Sequence, residues 1–221
     1  MTNIYLSPEW FDPFSIIFEA FFFIVTLLLA IIAFRVRKST GERSAGLFAW
    51  SFLMIAISYF CQSLFNFLVL SNLKQSICGS NLYSLAIFDA IGTYLQILFM
   101  MVGLSGLLYL TLHTQKKRVL MLLILVSLSF MYLSNNLIRA YFFLSLLYLV
   151  FISWHFYEHY LARKDTKTLV VATAFTLLIL SRLVLSFVWR QDNDAAFVLA
   201  YFLELAAYLA ILANFYLVFK R

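Results

Sequence analysis

Five ionisable residues stand inside or at the margin of long apolar runs in this chain: Glu19, Asp89, Arg139, Arg182 and Glu204. On a membrane-spanning helix a single charge costs about 3 kcal/mol on insertion scales, so such side chains turn inward and pair. Arg182 and Glu204 lie on the two arms of one predicted hairpin, SRLVLSFVWRQDNDAAFVLAYFLELAAY. A guanidinium beside a carboxylate makes short, charge-assisted hydrogen bonds, and these two residues are the expected pair. Asp89 is the next acidic partner, whereas Arg139 is close enough to the start of its segment to snorkel to the surface. Ser58, Gln62 and Asn66 recur every fourth residue, and Asp89, Thr93, Gln96, Met100 and Gly103 also share one helical face. Glu19, Gln62, Asn66, Asp89, Gln96, Arg139, Arg182 and Glu204 therefore form the expected polar cluster, with its charges in the outer half of the bilayer. Such a cluster can bind a small polar ligand or relay protons, or it can serve only to fix helix packing.

A second constellation is HFYEH, with His155 and His159 four residues apart. That spacing puts both rings on one helix face, and His-x-x-Glu-His is the inverted zinc-protease pattern. His113, expected at the same level, would be the third ligand. Glu158 should point away, and the tyrosine and tryptophan neighbours fit an interfacial belt better than a metal site. There is no Gly-rich phosphate loop, nucleophile elbow or haem motif, and no cofactor, metal or enzymatic activity is expected.

The elements that must position these groups follow from composition. Of 221 residues, 64% are hydrophobic and 12% charged, against roughly half and a quarter in soluble domains. The apolar residues come in long unalternating runs such as FFFIVTLLLAIIAF, which exclude a soluble domain and a transmembrane β-barrel. The expected fold is all-α: one domain over residues 1–221, a polytopic bundle of seven transmembrane helices. The spans are read at about 14–34, 46–70, 82–112, 119–133, 137–157, 168–188 and 195–218. Asp12-Pro13, Ser80-Asn81 and Asp192 or Asp194 are the expected helix starts. The first run lacks the flanks of a cleaved signal peptide and is read as a permanent span.

The net charge of +6 does not point to nucleic acid, because the cations lie between the spans. Arg35, Arg37, Lys38, Arg43, Lys116, Lys117, Arg118, Arg163, Lys164, Lys167, Lys220 and Arg221 fall on one side; Lys74, Arg139, Arg182 and Arg190 fall elsewhere. The positive-inside rule then puts the N-terminus outside and the C-terminus in the cytoplasm of a multi-pass cell-membrane protein. Trp10 and Trp189 fall near the outer interface, Trp50 and Trp154 near the inner one. Cys61 is read as a small filler within a span and Cys78 as an outer-loop residue. An internal repeat is also expected, with Phe22-Phe23 matching Phe142-Phe143 and Gln62 matching Arg182 without a gap. Segments 1–3 would correspond to segments 5–7, parallel to them, with segment 4 as linker.

Seven spans with an outside N-terminus resemble rhodopsins, but AYFLELAAYLAIL has no lysine midway along the last span to hold retinal. The 3+1+3 layout resembles SWEET and PQ-loop transporters, yet the only prolines, Pro8 and Pro13, lie outside the helix interiors where those families carry theirs. A transporter or proton pathway would need a polar route inward, for which only Thr26, Ser105, Ser153, Thr173, Thr176 and Asn214 are available. The expected function is a receptor-like or sensor-like module, with transport of a small solute or proton and a purely structural role as alternatives. Its expected partners are the lipid bilayer, a small polar ligand and a cytoplasmic or membrane protein that carries any output.

Overall fold

The computed structural model describes residues 12–75, 82–112, 116–134, 136–188 and 194–219. They form seven helices: α1 (Asp12–Thr40), α2 (Arg43–Gln75), α3 (Leu82–Thr111), α4 (Lys117–Leu133), α5 (Leu137–Arg163), α6 (Thr166–Val188) and α7 (Asp194–Phe219). Six carry apolar stretches of 20 to 29 residues, about 30 Å or more of helix and enough to cross a bilayer. The exception is α4, whose apolar stretch Arg118–Leu133 is shorter.

Several boundaries lie beyond the apolar runs. The first helix continues through the basic RVRKST segment to Thr40, because nothing in that segment breaks a helix. It ends at Gly41, whose φ of +72° is the left-handed conformation that closes helices, and whose N–H reaches the Arg37 carbonyl. In the same way α5 runs past Tyr157 to Arg163, and Lys164 takes the left-handed cap at φ 52°. At its other end, the Asn136 side chain caps α5 by accepting from the Arg139 N–H. The expected start at Ser80-Asn81 and Asp192 lie outside the described residues; α7 begins at Asp194.

The helices pack as a ring. The neighbouring pairs are α1–α2, α2–α3, α3–α5, α5–α6, α6–α7 and α7–α1, while α4 touches only α3 and α5 from outside. Being peripheral, α4 leaves Met121, Leu122, Leu125, Tyr132 and Leu133 exposed, as suits a surface against lipid tails rather than protein. The interior is filled by apolar and aromatic side chains, among them Phe22, Leu29, Phe52, Met100, Met101, Ile152, Phe175 and Ile211.

A serine-to-carbonyl bond occurs both between α2 and α3 and between α6 and α7. Ser58 of α2 donates to the Gln96 carbonyl of α3 at 2.9 Å, and Ser181 of α6 donates to the Ala200 carbonyl of α7 at 2.9 Å. Counting back from these serines, Ala49 and Phe52 stand where Ala172 and Phe175 stand, and all four are buried. One residue beyond the serines come Tyr59 and Arg182, also buried.

Candidate functional site

The site is assembled from α2 on one side of the ring and the adjacent pair α6 and α7 on the other. On α7, Glu204 turns inward and is 3% exposed; on α6, Arg182 is 7% exposed. The guanidinium Nη2 lies 2.6 Å from Glu204 Oε1, a buried ion pair. The Tyr59 hydroxyl of α2 donates to the same carboxylate oxygen. It also lies 2.9 Å from the Tyr208 hydroxyl, and it accepts from Arg182 Nη2 at 3.3 Å. One carboxylate oxygen thus gathers a cation from one side of the ring and a phenol from the other. In a medium without water these bonds must do the work of solvation, and an unpaired charge here would be costly.

Aromatic rings enclose the pair. Tyr141 of α5 stands 5.8 Å from the Arg182 guanidinium carbon, its ring face toward the cation. The Phe22 ring of α1 packs against Tyr59, Tyr201 and Tyr208. The Tyr141 hydroxyl is buried with no hydrogen-bond partner among the described residues, as is Ser105 Oγ. Beside Arg182 and Tyr208 is a cavity of about 10 Å³ walled by Phe52, Ile55, Leu104 and Phe175. That is room for one water at most.

The other expected site residues are distributed differently. Glu19, 1% exposed, is held by Asn66, whose Nδ2 lies 3.0 Å from each carboxylate oxygen. This pairing joins α1 to α2 as a second polar contact. Gln62 is half-buried, and no hydrogen bond among the described residues involves its side chain. Gln96 contributes its backbone carbonyl, which accepts from Ser58. The Arg139 side chain is exposed near the start of α5, outside the cluster. Asp89 lies on α3, but its side chain falls outside the described set.

The chain matches no family model, no curated protein and no solved structure. Its function must be read from its own side chains.

On the histidine motif, the His155 and His159 rings stack with centroids 6.2 Å apart. Glu158 is engaged elsewhere, accepting from Trp154 Nε1 at 2.7 Å. His113 lies outside the described residues, and no group of three His, Cys, Asp or Glu side chains gathers among those described.

A second hollow lies at the opposite end of the ring. A cleft of about 330 Å³ is bounded by the end of α1, the start of α2, the end of α3 and the late turns of α5. Ala33, Phe48, Leu107, Ile152 and Phe156 make its apolar wall; Glu42, Ser44, Thr111 and His155 are its polar members. Phe48 and Tyr59 are separated by roughly 16 Å along α2, and Leu107 lines both hollows.

Tyr59 is the member of the charged cluster that sequence reasoning missed, with Tyr141 and Tyr208 beside it. Reading the aromatic residues as packing or lipid-facing groups hid them. The usable signal was tyrosine rather than phenylalanine at the level of Arg182 and Glu204, since a buried phenol seeks a partner.

Proposed function

We propose that the chain is a non-enzymatic, receptor-like module of the cell membrane in which Tyr59, Glu204 and Arg182 latch together two three-helix halves. It crosses the bilayer seven times, with the N-terminus outside and the cation-rich turns in the cytoplasm. The halves are α1–α3 and α5–α7, parallel copies of one unit, with α4 as the linker. The recurring serine-to-carbonyl bonds and the shared Ala-x-x-Phe spacing ahead of each serine support this reading.

One observation carries the latch. Glu204 Oε1 takes its cation from α6 and its phenol from α2, two helices whose backbones do not touch. Breaking that junction frees one half to move against the other, and a receptor needs an element with two discrete arrangements that a ligand can bias. The tightness of the junction favours a latch over a seat for the ligand, because the adjoining cavity holds no more than one water. Output passes to a partner protein, since the turns between α1 and α2 and between α5 and α6 are only two residues long.

The reading is tested against transport in sealed proteoliposomes carrying an internal pH dye. A latch predicts no proton flux above that of protein-free vesicles, with wild type and Glu204→Gln alike. A proton flux that Glu204→Gln abolishes would overturn it in favour of a proton pathway.

A further inference from the structure

Among the described residues a ligand-sized hollow lies not at the charged pair but at the far end of the ring, and its lining is amphipathic. Ala33, Phe48, Leu107, Ile152 and Phe156 form an apolar wall, and Glu42, Ser44, Thr111 and His155 are the polar groups of the lining. Its volume of about 330 Å³ is at the lower end of the range for small-molecule pockets. Glu42 is the acidic group of the lining, and the α1–α2 turn that carries it is otherwise basic. Arg35, Arg37, Lys38 and Arg43 are exposed on the α1–α2 side, and Lys116 and Arg118 beyond the end of α3. The Arg37 side chain folds over Gly46, where an added Cβ would come within 2.6 Å of its Cδ. That keeps one guanidinium beside the mouth. The opposing charge there is Glu42, whose carboxylate accepts from Ser44 at 3.4 Å.

We infer that this cleft binds a single-chain anionic amphiphile of the fatty-acid class, with its chain against Leu107 and its carboxylate among Arg37 and Arg43. Burial of an alkyl chain supplies the affinity, and the cationic rim selects the sign of the head group. Glu42 repels the same head group and sets a ceiling on affinity. The inference rests on the receptor-like reading and locates its ligand. Leu107 gives the bound chain a physical route to the latch: it lines both the cleft and the cavity that reaches Arg182 and Tyr208.

The test uses the full-length protein in phosphatidylcholine nanodiscs and a laurate analogue carrying a photoreactive diazirine near its chain end. Labelled peptides are then identified by mass spectrometry. Label is expected on the segments holding Phe48, Leu107 and Ile152, competed by excess laurate and not by laurylamine. Arg37→Gln with Arg43→Gln, both at exposed positions, should weaken the competition about tenfold. Glu42→Gln should strengthen it. Leu107→Trp should remove the label, and Ala33→Phe gives a second way to fill the cleft should that variant fold poorly. Label confined to bilayer-facing residues such as Val150 and Phe151, or equal competition by laurylamine, would overturn the proposal. Either result would leave the latch untouched, since the latch is tested by stability and distance measurements that involve no ligand.

Discussion

The ion pair between Arg182 and Glu204 can be measured directly through a double-mutant cycle of Arg182→Met and Glu204→Gln. The guanidinium lies 2.6 Å from the carboxylate, and both side chains are less than a tenth exposed. Removing one partner of a buried pair costs about 3–5 kcal/mol, because the survivor keeps its charge with nothing to balance it. Arg182→Met leaves the carboxylate with Tyr59 alone. Glu204→Gln keeps an oxygen for Tyr59 but gives the guanidinium a neutral acceptor. The unfolded reference in a membrane also finds partners, so values near 3 kcal/mol are expected for each single change. The double mutant holds no uncompensated charge and should cost little more than either single one. The coupling energy is then about 2–3 kcal/mol, several times the roughly 0.6 kcal/mol average for hydrogen bonds between membrane helices. Reversible unfolding in mixed micelles provides the assay. Additive single effects, with coupling below about 0.6 kcal/mol, would refute the claim that this pair is desolvated and unscreened.

Two further substitutions report on neighbouring features. Tyr141→Phe removes a buried hydroxyl that has no hydrogen-bond partner among the described residues, so it should leave stability unchanged or raise it by up to about 1 kcal/mol in the same unfolding assay. Gly103→Val should destabilise by about 1–3 kcal/mol, because an added Cβ would lie 2.6 Å from Ile55 Cγ1 and 2.8 Å from the rigid Ser51 carbonyl of α2.

Much of this architecture is written in hydropathy. Apolar runs of bilayer length and the cost of isolated charge lead directly to a helical bundle and to a partner for Arg182. The polar stripe on α2 likewise leads to Asn66, which meets Glu19. Helix ends were harder to read, because hydropathy reports where lipid would begin. Backbone helicity continues through RVRKST until Gly41 permits a left-handed turn. Arg139 and Gln62 share a depth with the cluster without joining it, since depth alone does not give the direction in which a side chain points. Tyr59 escaped notice because it sits beside the Ser58–Gln62–Asn66 stripe and carries a mostly apolar ring. Its role depends on a carboxylate far away in sequence, a contact that only the closed ring creates.

The central claim, that Glu204 fastens the two halves, is tested most directly by a distance between them. Spin labels at Ser39→Cys and Ala162→Cys, both exposed and near the ends of α1 and α5, would be measured by pulsed electron resonance in nanodiscs, with Cys61 and Cys78 replaced by serine. Wild type should give one narrow distance distribution, and Glu204→Gln should broaden it or add a second population. Superimposable distributions in a variant that has lost stability would contradict the account, leaving the ion pair as a local packing contact.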